Sequence, residues 1–207
     1  EAQGMMPLWN RLILRQVQTP ENQSLIGKSL CEIGEMRGCN ALNAMIDLSL
    51  EENLEAHFLS ADMGHNDDQL VGNLLKHPNV MVGASDGGAH ILSFATYGDT
   101  GYLLGHFVRD QATMSLENAV KKITSDPANL WGLGNRGMLR EGFVADITLF
   151  DEARIDRGSE HFVQDVPGDG GRYVRDAHGV HTVVIGGAVA FDSAYGYRDA
   201  HRGQIIG

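Results

Sequence analysis

A chain of 207 residues with 16 Lys and Arg against 27 Asp and Glu carries a formal net charge of −11 at pH 7, which argues against nucleic acid or an anionic membrane surface as its partner. At 43% hydrophobic and 21% charged residues, its composition is that of a folded chain of one or two domains, not a disordered one. Two cysteines, Cys31 and Cys39, are too few for a disulfide scaffold and are not spaced as a zinc knuckle, so a reducing, cytoplasmic setting is expected. No apolar stretch approaches the roughly 18 residues that span a bilayer, and no charged start followed by an apolar run signals export.

In chain order, Leu8 to Val17 (LWNRLILRQV) alternates as a strand does and is broken by Thr19, Pro20, Asn22 and Ser24. Ser29 with Glu32 forms a capping-box pattern ahead of Ile33 and Met36, and Gly38 closes that helix. Leu42, Met45, Ile46 and Leu50 recur at helical spacing. His57 to Ala61 reads as a short strand, and Leu70, Leu74 and Leu75 mark a helix ending at Lys76. After the break at His77-Pro78-Asn79, Val80 to Ser85 is nearly continuous in apolar and small residues, as a buried parallel strand is. Helical spacing returns at Leu103, Leu104, Phe107 and Val108, and again at Leu116, Ala119, Val120 and Ile123 behind a Ser115 cap. Asp126-Pro127 reads as a further cap with Pro at the first helical position.

Beyond Gly132 the pattern changes to short strands and turns. Ala145 to Phe150 and His181 to Ile185 read as strands, and the second turns at Gly186-Gly187 into Ala188 to Phe191 as a hairpin. Between them, Val166 to Gly179, rich in Gly, Asp and Arg, reads as an ordered loop. The fold class is therefore α/β, with parallel strand and helix units over residues 1–132 and a small β domain over 133–207.

Two glycine-rich motifs compete for attention. Gly132-Leu133-Gly134-Asn135-Arg136-Gly137 satisfies GxGxxG, but a helix precedes it and strand-like sequence follows. No helix N-terminus would meet a phosphate there, and the run reads as a domain crossover. Ser85-Asp86-Gly87-Gly88-Ala89-His90 places a carboxylate at the end of the expected parallel strand, where barrels carry catalytic groups; by spacing alone, Asp-Gly-Gly is equally a turn formula. His65, Asn66, Asp67 and Asp68 could suggest a metal cluster but fit a helix N-terminus better. His57, His77 and His106 have no partner visible in the sequence, and the eight methionines are scattered as core fillers are.

The segments VMVGASDGGAH and TSDPANLWGLGNRGMLREGFVADITLFD, with Val166-Pro167-Gly168-Asp169-Gly170-Gly171-Arg172, resemble the C-terminal half of the metal-dependent amidohydrolase superfamily, in its N-acyl-D-amino-acid deacylase (D-aminoacylase) branch. GKSLCEIGEMRG and YLLGHFVRDQATMSLENAVKKIT are similar to segments of that branch too, so the resemblance covers nearly the whole chain. It implies the C-terminal part of a TIM-type (β/α)8 barrel over 1–132, part of a small β-sandwich over 133–207, and zinc as cofactor. It also implies hydrolysis of a linear amide such as an N-acyl-D-amino acid. Asp86 matches the family's carboxylate after the last barrel strand. It is expected to bind at the metal and to carry a proton from metal-activated water to the leaving amine. Gly87, Gly88 and His90 are the expected substrate-binding residues.

The chain departs from the family in two respects. It contains no His-x-His pair; His178-Gly179-Val180-His181 has the wrong spacing, so the other ligands are expected upstream of Glu1, in an N-terminal half of the same protein or a partner chain. It also lacks the His-Pro-Arg stretch expected about ten residues after the catalytic Asp. Ala95-Thr96-Tyr97 stands there, and the first arginine after Asp86 is Arg109. Hydrolysis of a cyclic amide, or a non-catalytic half-barrel, are the alternatives.

Overall fold

The computed structural model describes residues 8–61, 66–83, 85–198 and 203–205. It is a mixed α/β chain that forms two compact units, Glu1–Asp68 and Gln69–Gly207. Among the described residues, no helix is long and apolar enough to cross a membrane.

In the first unit, β1 (Leu12–Gln16) pairs antiparallel with β2 (His57–Ser60), with Leu14 opposite Phe58. A 3-10 turn (Pro20–Leu25) leads to α1 (Leu30–Arg37). The capping box forms as the sequence predicts. The Glu32 N–H donates to Ser29 Oγ at 3.2 Å, the Ser29 N–H donates to Glu32 Oε2 at 2.7 Å, and Gly38 ends the helix at φ +67°. α2 (Ala41–Glu51) starts from Asn40, whose side chain accepts from the Asn43 N–H. Leu14, Leu30, Ile33 and Leu48 are fully buried around Ala44.

The face that α2 buries differs from the expected one. Ala44 and Leu48, four residues apart, turn inward, whereas Leu42, Ile46 and Leu50 are 50%, 48% and 67% exposed. The small Ala44 side chain permits close packing of the helix, and the end of α2 is fixed by a carboxylate. Glu52, 1% exposed, accepts from the Gln18 N–H at 2.6 Å, the Thr19 N–H at 2.9 Å, Asn22 Nδ2 at 2.6 Å and the Thr19 hydroxyl. Burial pushes the Glu52 carboxyl up, but these donors outweigh it and hold it down at about 2.

In the second unit, α3 (Asp68–Lys76) precedes the segment expected to be a buried parallel strand. That strand does not form among the described residues: Val80 to Gly83 joins no ladder, and every strand pair among those residues is antiparallel. A parallel strand takes its hydrogen bonds from parallel neighbours, and the described residues supply none. Here the buried Lys122 Nζ donates to the carbonyls of His77 at 3.0 Å and Val80 at 2.7 Å.

A helical stretch runs through α4 (Asp99–Tyr102) into a wider π-wound segment, Leu103–Asp110. α5 (Leu116–Ile123) is capped by Ser115 as expected, and α6 (Ser125–Leu130) follows. The second cap differs from the sequence reading: α6 starts from Thr124, which places Asp126 inside the first turn, where it pairs with Lys121. Leu103, Leu104, Phe107, Val108, Ala119 and Ile155 form the core of this unit.

β3 (Ile147–Phe150), β6 (Val180–Ile185), β7 (Ala188–Asp192) and β8 (Gly196–Tyr197) form an antiparallel sheet in the order β3-β6-β7-β8. The expected hairpin turns at Gly186 and Gly187, both at positive φ (+56° and +81°). The expected loop at 166–179 is instead a strand. β4 (Asp156–Val166) and β5 (Gly170–His178) make a long hairpin turning at Pro167-Gly168-Asp169. Charged residues on both of its faces hide the apolar alternation that would have marked it.

Candidate functional site

Asp86 sits in an exposed turn. The Ala89 N–H donates to its carbonyl at 2.8 Å, the Gly87 N–H donates to Ser85 Oγ at 3.2 Å, and Gly88 turns the chain at φ +98°. Among the described residues, no side chain donates to the Asp86 carboxylate. His90 is also exposed and takes a left-handed conformation, φ +54°; its ring stacks 5.9 Å from that of Phe94. The structure thus puts Asp86, Gly87, Gly88 and His90 on one solvent-facing loop.

That loop is tied back to its own start and to the β4–β5 hairpin. Thr96 Oγ1 lies 2.5 Å from the Asp86 carbonyl and 3.2 Å from that of Ala89. The buried Ala95 is held by both of its backbone groups: its N–H donates to Glu160 Oε2 at 2.8 Å, and its carbonyl accepts from Arg175 Nε at 3.3 Å. Glu160 and Arg175 are cross-strand partners in the hairpin and form an ion pair at 3.5 Å. The Arg175 N–H donates to Tyr97 Oη at 3.0 Å, and the Tyr173 N–H to the Ile91 carbonyl at 2.8 Å. The sequence reading missed these four residues, Tyr97, Glu160, Tyr173 and Arg175, because their partners lie far along the chain. The trace in the sequence was the spacing of two between Glu160 and Phe162 and between Tyr173 and Arg175, which puts each pair on one face of a strand.

Arg109, the first arginine after Asp86, does not reach this loop. Its guanidinium bonds Asp110 and Asp156 and donates to the Ile155 carbonyl at 2.8 Å, so it pins a helix to the start of β4. A cavity of about 660 Å³ in this unit, walled by Leu104, Ile123, Phe150, Ile155 and Val180, is lined by none of Asp86, Gly87, Gly88 or His90. Gly132, Gly134 and Gly137 all have positive φ and connect α6 to β3, a helix-to-strand crossover as the sequence predicts.

Among the described residues, no group of three or more His, Cys, Asp or Glu side chains is arranged to hold a metal ion. Asp67 and Asp68 stand at the start of α3, while His65 lies outside the described residues. The donors of the described residues therefore do not fit a zinc centre; Asp86 offers it a single carboxylate.

Residues 16–191 match a family described as the Amidohydrolase family. The chain is 32% identical over 171 residues to the N-acyl-D-glutamate deacylase of Alcaligenes xylosoxydans xylosoxydans, covering 81% of this chain and 31% of that enzyme. It is similar to the crystal structure of the N-acyl-D-glutamate deacylase from Bordetella bronchiseptica, solved with zinc and a phosphonate inhibitor. The TM-score is 0.54 at 25% identity, over 90% of this chain and 35% of that one. It is likewise similar to the crystal structure of a D-aminoacylase, with a TM-score of 0.55 at 25% identity, over 93% of this chain and 36% of that one. The chain spans about a third of the length of the relatives it matches.

Proposed function

This chain belongs to the amidohydrolase family, and from that premise we propose that it falls in the D-aminoacylase branch and is the part of a hydrolase of linear amides, such as N-acyl-D-amino acids, that carries the proton-transfer carboxylate. The observation that carries this reading is the 32% identity to an N-acyl-D-glutamate deacylase across 81% of the chain.

Asp86 is the proposed catalytic residue. Its carboxylate stands on an exposed turn with no side-chain donor occupying it among the described residues. As water attacks the amide carbonyl, the carboxylate takes the proton of that water. As the carbon–nitrogen bond breaks, it returns the proton to the departing nitrogen, so one group serves as base and then acid. Gly87 and Gly88 leave the backbone bare for a substrate to approach, and His90 lies on the same loop to bind it.

A divalent metal such as zinc finds no cage of three or more donors among the described residues. The remaining donors of such a centre are proposed to come from an upstream segment or a partner chain. Within this reading, residues 1–132 are the last part of a barrel and 133–207 part of a β-sandwich. The free thiols of Cys31 and Cys39 support a cytoplasmic placement.

The test is amino-acid release from N-acetyl-D-glutamate, N-acetyl-D-aspartate and their L forms by the full-length protein. Asp86→Asn is expected to lower kcat by roughly 10²- to 10⁴-fold with the fold intact. Unchanged turnover removes Asp86 from the chemistry, and a wild-type protein that cleaves no N-acyl amino acid removes the reading.

A further inference from the structure

Arg175 reaches the segment Ala95-Thr96-Tyr97, where an arginine that clamps a substrate carboxylate was expected and is missing. Its guanidinium is already committed: Nε donates to the Ala95 carbonyl at 3.3 Å, Nη1 to the Gly158 carbonyl at 3.1 Å, and Nη2 pairs with Glu160 at 3.5 Å. The side chain is only 16% exposed. A guanidinium with all three nitrogens engaged and its charge matched by a neighbouring carboxylate is a poor substrate clamp and a good strut.

The strut has a direction. Glu160 and Arg175 are opposite each other in the hairpin register, so the ladder fixes their separation before either touches the loop. Together they take both hydrogen-bonding groups of one buried peptide unit, Ala95 N–H and Ala95 C=O. The next residue, Thr96, lies 2.5 Å from the Asp86 carbonyl, and the following one, Tyr97, accepts from the Arg175 N–H. The hairpin therefore holds Ala95 to Tyr97, and Thr96 closes the turn on which Asp86 stands.

We propose that Glu160 and Arg175 are positioning residues: acting through Ala95 and Thr96, their hydrogen bonds to the Ala95 peptide groups set the conformation of the Asp86 turn. This rests on the assignment of Asp86 as the proton-transfer residue, while the coupling itself is a property of the loop. A purely structural role would loosen Ala95 alone. A positioning role also reaches the Ala89 amide, which donates to the same Asp86 carbonyl that Thr96 Oγ1 contacts.

The experiment compares E160A, E160Q, R175M and Y97F with wild type in the full-length protein, by amide exchange resolved at Ala89 and Ala95 and by steady-state kinetics on N-acyl-D-amino acids. In E160A and R175M, exchange is expected to rise about tenfold or more at both amides. In the same variants kcat is expected to fall about 100-fold with KM little changed. E160Q, which keeps an acceptor for the Ala95 N–H, is expected to recover most of both, and Y97F to lie between. Exchange that rises at Ala95 but not at Ala89, or kcat that stays at the wild-type level while exchange rises at both, overturns the proposal. A wild-type protein that hydrolyses no N-acyl amino acid defeats the functional reading instead. Exchange at Ala89 then decides the coupling alone: faster in E160A supports it, unchanged overturns it.

Discussion

The ring of Phe162 lies directly over the backbone of Gly171, so that a Cβ at Gly171 would overlap Phe162 Cζ and Cε1. That ring in turn packs edge-on against Tyr173, with centroids 5.2 Å apart, and the Tyr173 N–H holds the Ile91 carbonyl of the candidate loop. A glycine in the hairpin is thus part of how the hairpin meets the loop.

Gly171→Ala is expected to displace Phe162 from Tyr173 and to destabilise the protein by about 1–3 kcal/mol, as overpacking does. Thermal unfolding of G171A, F162A and the double variant checks this. Removing Phe162 first should cancel most of the G171A cost, because the three atoms nearest to the added Cβ all belong to that ring.

The GxGxxG run gives a graded pair. At Gly132 (φ +66°) a Cβ meets nothing within 4 Å, so Gly132→Ala carries only the conformational cost of about 1–2 kcal/mol. At Gly137 (φ +81°) a Cβ would stand 2.8 Å from both Ala128 Cβ and the Thr124 carbonyl, so Gly137→Ala is expected to be the more damaging. Equal stabilities in a denaturant titration would contradict the packing described for the crossover.

Glu52 gives a pH signature. Its carboxyl titrates at about 2 in the fold against an ordinary 4.5, so between these values the unfolded chain binds more protons than the folded one. Its stabilising contribution is complete above about pH 4.5 and is lost as pH falls toward 2. Glu52→Gln is expected to lower stability at pH 7 and to flatten the loss on acidification. Denaturant unfolding at pH 7 and pH 3 measures both.

Lys122→Met removes the donor shared by the His77 and Val80 carbonyls. The expected cost is about 1–3 kcal/mol, with amide exchange quickened in the segment leading toward Asp86. Unaltered exchange there would show that the lysine is not what holds that segment.

The parts legible in the sequence were those with local causes. Ser29, Glu32 and Gly38 specify a helix from within ten residues, and Gly186-Gly187 specifies a hairpin from two. The Asp86 turn was legible because its glycines and carboxylate are contiguous. Val80 to Ser85 was read as a strand because its apolar run satisfies half of the requirement; the other half, parallel partners, lies outside any local pattern. α2 was recognised as a helix, but its buried face was set by Ala44 fitting closely, which the larger Leu42, Ile46 and Leu50 obscured. The bracket at Ala95 was invisible for the same reason: Glu160 and Arg175 look like ordinary surface charges until the fold brings them back across 65 and 80 residues.

That separation has a consequence during synthesis. A ribosome delivers the Asp86 turn long before Glu160 and Arg175, and the hairpin cannot close until both of its strands have cleared the exit tunnel. Until then Ala95 has water where its two partners will be, and closing so long a loop is entropically disfavoured without the preformed hairpin to receive it. The bonds that hold Ala95 therefore cannot form until both strands of the hairpin have been made. A nascent chain stalled short of Arg175 would lack the donor that holds the Ala95 carbonyl.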